Sequence, residues 1–261
     1  MRVLLNVLAW AAGLLMVLPL AWAVLGSLQA GAAALQNPVG GPPTVGNYVT
    51  VLRGEGVGRW LLNSLVIASA TAVLGVAVAS LAGYALAQKR LPRRRLVTGV
   101  LLAALLLPYH ALLAPAFELI LTLGLFDTYA AVILPGGVSA AGVLLYRQNF
   151  GRLSAEVLDA ARLDGAGETR IWWQVALPAV RPATAALTLL LFLAGWNAFL
   201  WPAVVLQDPA KQPLAVGLAS LTARPAFQQN YGLLLAALTL GLLPPVALFL
   251  SVQRDLDTVT A

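Results

Sequence analysis

Between residues 152 and 178 the chain carries a run whose side chains suit gripping a partner rather than catalysis. It reads Glu156-Val157-Leu158-Asp159-Ala160-Ala161-Arg162-Leu163-Asp164-Gly165, followed by Val175-Ala176-Leu177-Pro178. Ala160, Ala161 and Gly165 are small, and Glu156, Asp159 and Asp164 supply carboxylates. Arg162 is placed to pair locally with Asp159 or Glu156 or to reach a partner, and both uses stay open. Reaction chemistry has little to work with. The chain has no Cys and a single His, His110, so neither a thiolate site nor a cluster of His ligands forms, and no catalytic or metal-binding residue is expected. A phosphate-cradling loop needs glycine just before its lysine, but Lys89 follows Gln88 and Lys211 follows Ala210. No cofactor is expected on this chain.

The elements that hold this run are helical by pattern. Ser154 suits an N-cap, with Glu156 near the positive helix end. Leu153, Val157 and Ala160-Ala161 recur at helical spacing and give a short apolar face. Gly165 suits the left-handed position that ends such a helix. A helix of about ten residues is marginal in water alone, so it must dock. A second amphipathic stretch, 168–177, carries Trp172-Trp173, whose rings favour a membrane interface. Pro178 is expected to stop it, and Arg181-Pro182 to redirect the chain.

Composition makes lipid the solvent for the rest. Hydrophobic residues make up 60% and charged residues 10%, and mean hydropathy is +0.85, outside the range of soluble domains. Six apolar runs reach the roughly 20 residues needed to cross a bilayer, near 3–28, 61–87, 96–123, 129–146, 183–206 and 231–252. Pro135-Gly136-Gly137 interrupts the fourth, and Pro108 with Pro115 marks a kink in the third. Ala21-Trp22-Ala23 resembles a signal-cleavage site, but the first run exceeds a signal's usual apolar length and is read as a membrane helix. Of the 16 Lys and Arg residues, 12 fall on one side of such a six-span chain: Arg2, Lys89, Arg90, Arg93 to Arg95, Arg147, Arg152, Arg162, Arg170, Arg181 and Arg254. Arg53, Arg59, Lys211 and Arg224 fall on the other. The positive-inside rule then puts both termini and the acidic run in the cytosol. It also accounts for the net charge of +6 without nucleic acid. Segments 29–60 and 207–230, rich in Gly and Pro, read as irregular outer loops.

Broken helices hint at a pathway, since irregular backbone at membrane depth is tolerated only inside protein or beside a cavity. Trp196, Asn197 and Trp201 in the fifth run and His110 beside Pro108 are its candidate residues. Helix-to-helix bonding, an interfacial aromatic belt and plain packing are the alternatives for them.

The acid, two alanines, glycine and leucine-proline at this spacing resemble the cytoplasmic signature loop of ABC-importer permeases. Similarity to the carbohydrate-type group, of maltose and glycerol-phosphate permeases, runs along nearly the whole chain. It is carried by Asn63-Ser64-Leu65, Gly83-Tyr84-Ala85-Leu86-Ala87, Leu123-Gly124-Leu125-Phe126-Asp127-Thr128-Tyr129, Arg147-Gln148-Asn149-Phe150, Trp196-Asn197-Ala198-Phe199-Leu200-Trp201-Pro202, Gln212-Pro213-Leu214 and Leu243-Pro244-Pro245. Two features depart from the group. Asp159 stands where Glu is more usual, and Arg254 is followed by Asp-Leu-Asp-Thr-Val-Thr-Ala, where similar proteins usually carry an aromatic and a glycine.

The resemblance implies one all-α permease domain over residues 1–261, with six transmembrane helices in a bacterial or archaeal plasma membrane. Its cytoplasmic coupling helix would lie between spans four and five, and the cargo would be a sugar or related polyol. It further implies a heterodimer with a second, related permease, two ATPase subunits gripping Glu156, Asp159, Ala160, Ala161, Arg162, Asp164 and Gly165, and an external solute-binding protein. Polyamine permeases share the signature loop. A secondary transporter is a rival with less behind it, because the acids fall mostly in loops. A membrane-embedded enzyme would need a convergent catalytic set.

Overall fold

Every regular element among the described residues is helical. In hydrocarbon a backbone amide finds no water, and a helix satisfies its own segment internally. The computed structural model describes residues 2–29, 31, 34, 37, 39–54, 56–88, 91–222, 227 and 230–257. Lys89 and Arg90 of the basic turn, Arg224 of the second outer loop and residues 258–261 lie outside the described residues.

Three helices are long and apolar enough to cross a bilayer unbroken: α1 (Arg2–Ser27), α3 (Val57–Gln88) and α14 (Tyr231–Asp257). The other apolar runs are bent. α4 (Arg94–Leu106) meets a 3₁₀ turn, Tyr109–Leu112, and α5 (Leu113–Thr122) at 101°. α6 (Tyr129–Gly136) meets α7 (Ala140–Phe150) at 42°. The segment Glu168–Ala179 meets α11 (Arg181–Trp196) at 86°, and α12 (Leu200–Val205) follows α11 after a break. Counting each bent pair once gives up to six crossings, compatible with the six-span expectation.

The chain forms two compact units. One comprises Met1–Asn63 and Gln212–Pro244. In it the segment expected to be an irregular outer loop contains α2 (Gly46–Gly54). Asn47 is buried there, and its Nδ2 donates to the carbonyls of Ser27 and Gln29, each at 2.8 Å, supplying partners where α1 can no longer. The second such loop likewise holds α13 (Leu214–Thr222), with Leu214, Val216, Leu218 and Leu221 buried. Pro213 reads as a loop residue, yet it only precedes this helix, and its carbonyl accepts from the Gly217 amide at 3.0 Å. Burial of an apolar face outweighs the proline signal.

The other unit comprises Ser64–Lys211 and Pro245–Ala261. Its helices approach closely at glycines. A Cβ on Gly83 of α3 would lie 2.5 Å from Tyr146 Cβ and 2.9 Å from the Arg147 amide nitrogen, and one on Gly195 of α11 would lie 3.1 Å from Ala68 Cα. Ile67, Ile120, Ala131, Trp201 and Val205 form a buried cluster. The α4–α5 bend falls where Leu107 and Pro108 are extended (ψ 123° and 128°), as expected of proline and of the residue before it. The α6–α7 bend follows Pro135-Gly136-Gly137, and α7 restarts on Ser139, whose Oγ accepts from the Gly142 amide at 3.0 Å. The third break, at residues 197–199, divides the run expected to be continuous from 183 to 206. It contains no proline. There the Trp201 indole donates to the Ala131 carbonyl at 2.8 Å, and this buried bond ties α12 to α6 instead of to α11.

Asp127 fixes the far end of α12. It adopts φ 58°, which Asp and Asn tolerate. Its Oδ1 accepts from the amides of Gln207 and Asp208, each at 3.0 Å, and its Oδ2 from Lys211 Nζ at 2.6 Å. Lys211 also donates to the Asp127 carbonyl at 2.8 Å. The hydrogen bond from Lys211 holds the Asp127 carboxyl below its usual range, and that carboxylate in turn pushes the Lys211 ammonium up. A lowered acid stabilises above its unfolded pKa and loses the effect as pH falls through its folded value. A raised base stabilises below its unfolded pKa and loses the effect as pH rises through its folded value. Asp127→Asn keeps the backbone and drops the charge. Its deficit in thermal midpoint relative to wild type is expected to stay constant from about pH 5 to about pH 9. A deficit that vanishes inside that window contradicts this clasp.

Candidate functional site

The acidic run folds as α8 (Ala155–Leu163). Ser154 occupies the N-cap with extended backbone, but its side chain makes no capping bond. The other end is closed by Gly165 at φ 80°. Its amide donates to the Arg162 carbonyl and the Ala166 amide to the Ala161 carbonyl, both at 3.0 Å, the paired closure of a Schellman motif. Nothing lies within 4 Å of a Cβ built on Gly165. The backbone angle, and not crowding, calls for glycine here.

The face that α8 turns inward differs from the expected one. Leu158 is 1% exposed and pins the helix, whereas Val157 is 55% and Leu163 89% exposed. Glu156, Asp159, Ala160, Asp164 and Gly165 are exposed, and Ala161 is half-buried. The outward surface therefore mixes two bare aliphatic side chains with three carboxylates and two small residues. Arg162 explains the rotation. It lies four residues after Leu158, on the same helix face, and makes bonds that draw that edge inward.

Arg162 Nη1 donates to Asp159 Oδ1 at 2.6 Å, and its Nε donates to Glu168 Oε1 at 3.1 Å. Glu168 Oε2 accepts from the Tyr84 hydroxyl of α3 at 2.9 Å. Glu168, then Asp159, pushes the Arg162 guanidinium up from its ordinary value. Half-exposed pairs like these contribute about 0–1 kcal/mol, so their importance is geometric. From Tyr84 the connection continues inward. Its ring meets Phe150 edge-on at 5.6 Å, and Phe150 stacks on Tyr146 at 5.3 Å. The Tyr146 hydroxyl donates to Thr184 Oγ1 on α11 at 2.9 Å. α8 is thus connected to α3, α7 and α11 through side chains alone.

After Gly167 the chain forms α9 (Glu168–Ile171), a π-helical turn (Trp172–Ala176) and α10 (Leu177–Ala179). Pro178, expected to stop this stretch, sits in the first turn of α10, where a missing N–H costs little. The break comes later, at Val180 (φ −114°, ψ 30°). Trp173 is exposed, while Ile171 and Ala176 are buried.

Three of the helix breaks, those of α4–α5, α6–α7 and α11–α12, border one cavity of 630 Å³. Tyr109 faces it from the α4–α5 break, Gly136 and Val138 from the α6–α7 break, Ala198 and Phe199 from the α11–α12 break, and Thr71 from unbroken α3. Of the four candidate pathway residues, Trp201 lines this cavity. Trp196 is buried and stacks on Phe192 at 5.7 Å. The exposed Asn197 donates from Nδ2 to the Leu193 carbonyl at 2.9 Å, and His110 lies edge-on to Tyr109 at 5.6 Å. Among the described residues no group of three or more His, Asp or Glu is placed to hold a metal ion.

Residues 75–258 match the family of binding-protein-dependent transport system inner membrane components. The chain belongs to this family. It is a multi-pass permease of the inner membrane, of the ABC-importer kind, and a transport component rather than an enzyme. It is 36% identical over 197 residues to the sn-glycerol-3-phosphate transport system permease protein UgpE of Yersinia pestis, covering 76% of this chain and 70% of that one. It is 37% identical over 212 residues to the arabinooligosaccharides transport system permease protein AraQ of Halalkalibacterium halodurans, covering 81% and 75%. Its fold matches the crystal structure of a bacterial ABC transporter involved in the import of the acidic polysaccharide alginate, with a TM-score of 0.84 and 25% identity over 97% of this chain and 95% of that one.

Two residues of the site carry no mark in the sequence. Glu168 joins Arg162 and Tyr84 across separations that no helical period links, and Leu158 looks no different from its exposed neighbour Val157. Glu168→Ala removes the carboxylate between α8 and α3. Amide hydrogen exchange in α8 is expected to rise about tenfold while the interior of α3 stays protected. Unchanged exchange in α8 would show that the helix is held by Leu158 alone.

Proposed function

We propose that this permease forms half of the translocation pathway for a sugar or related polyol, paired with a second, related permease. Two ATPase subunits and an external solute-binding protein complete the assembly. The cytosol holds both termini and α8, and each permease offers α8 to one ATPase subunit. Val157, Ala160, Leu163 and Gly165 then enter its groove, and Glu156, Asp159 and Asp164 orient the contact. Ala161 and Arg162 act from behind. ATP is bound by the partner, and closure of the ATPase pair shifts the membrane segments because α8 docks differently in the two states.

The observation that carries this reading is the pairing of a bare outward face with a braced inward one. A short helix with exposed Val157 and Leu163 has no reason to keep them in water, and its bonds through Glu168 connect it to helices that line the cavity. The names of the similar proteins favour hydroxylated cargo over polyamines: a glycerol phosphate, arabino-oligosaccharides and a polysaccharide.

The test is Gly165→Pro in the transporter reconstituted with its partner subunits. Proline holds φ near −65°, opposite in sign to the 80° found here, and lacks the amide that closes on Arg162. ATP hydrolysis stimulated by the binding protein and solute uptake are expected to fall together, about tenfold or more, while the membrane subunits still insert and assemble. Persistence of both activities would contradict a coupling role for α8.

A further inference from the structure

Thr71 stands near the middle of α3 and lines the 630 Å³ cavity. It is 4% exposed, and its Oγ1 is buried without a hydrogen-bond partner. A threonine inside a helix has an easy alternative, a bond to the carbonyl four residues back. Thr98, Thr122, Thr184, Thr188 and Thr239 all take it. Thr71 does not, although Ile67 lies at the right offset. A hydroxyl held away from its default acceptor in apolar surroundings destabilises the resting protein, so its position needs another reason.

Its neighbours are the helix breaks. A Cβ on Gly136 would lie 3.0 Å from Thr71 Cγ2 and 3.6 Å from Oγ1, and one on Gly195 would lie 3.6 Å from Thr71 Cβ. Thr71 therefore sits between two glycines that carry no side chain, one beside the α6–α7 break and one beside the α11–α12 break. A small shift of either break gives a molecule in the cavity access to the hydroxyl. The described residues of the cavity wall include no Lys, Arg, His, Asp or Glu. An anion taken out of water there would lack a partner charge, whereas a sugar or polyol needs only hydroxyl partners.

We infer that Thr71 is a solute-contact residue whose hydroxyl bonds a hydroxyl group of an uncharged sugar or polyol occupying the cavity. This rests on the sugar reading proposed above and narrows it to neutral members. It also separates this chain's cargo from the glycerol phosphate and the acidic polysaccharide named for two similar proteins.

The test uses the complete transporter in proteoliposomes, with wild type, Thr71→Val and Thr71→Ser. The probes are a panel of neutral sugars and polyols and, separately, sn-glycerol 3-phosphate. Valine keeps the shape and drops the hydroxyl, and serine keeps the hydroxyl. With a neutral solute and saturating binding protein, Thr71→Val is expected to lower uptake about tenfold, the equivalent of one hydrogen bond. ATP hydrolysis should stay within about twofold, and Thr71→Ser should restore uptake. The thermal midpoint of Thr71→Val should equal or exceed that of wild type, because an unpaired hydroxyl has been removed. Undiminished uptake in the valine variant, failure of serine to rescue, or a lowered midpoint would each overturn the inference. Uptake of glycerol phosphate in preference to every neutral probe would overturn the neutral class. A wild-type complex that hydrolyses ATP but imports neither kind of solute would sink the sugar reading itself, and that result needs no variant.

Discussion

A backbone amide in hydrocarbon has no water to bond, and the arrangement of this protein follows from that constraint. It makes every described element helical. It also decides where a helix is allowed to break, because each break frees carbonyls and amides that need other partners or a cavity beside them. The breaks at Pro108, at Pro135-Gly136-Gly137 and at residues 197–199 all reach the same 630 Å³ cavity. The unbroken α3 passes beside all three and contributes Thr71 to the cavity wall.

The same constraint explains why the polar run must lie outside the membrane and why it must be braced. α8 is too short to persist alone in water. Leu158 anchors it, Gly165 closes it, and Arg162 with Glu168 and Tyr84 connects it to α3. The Arg162 pairs are weak, since their side chains are at least a third exposed. Their combined effect is to set which side of α8 looks outward. From Tyr84 the side-chain contacts run on to α7 and α11 through Phe150, Tyr146 and Thr184.

Much of this was legible in the residues, for stated physical reasons. Apolar length marked the membrane helices, proline marked the α4–α5 bend, and glycine after a helical run marked the left-handed closure of α8. Local signals failed where a distant partner decided the outcome. Prolines around 207–230 disguised α13, which exists because Leu214, Val216, Leu218 and Leu221 find something to pack against. The break at residues 197–199 contains no proline itself, although Pro202 just after it lacks the N–H that would bond the Ala198 carbonyl, and the Trp201 bond to Ala131 is a contact between residues seventy positions apart. The inward face of α8 carries Leu158 and Arg162, and Arg162 bonds Glu168 outside the helix, a partner its own periodicity does not reveal. Pro178 did not end the helical stretch because it sits in the first turn of α10, where its missing N–H costs little.

The coupling role proposed for α8 requires that its outward face be what the ATPase grips. Because the chain has no cysteine, one introduced thiol reports on one position without background. Leu163→Cys should react readily with a maleimide in the permease alone and lose that reactivity, about tenfold or more, once the ATPase subunits assemble, while Leu158→Cys stays unreactive in both. Equal labelling of Leu163→Cys with and without the ATPase would place the contact elsewhere and contradict the coupling role given to this helix.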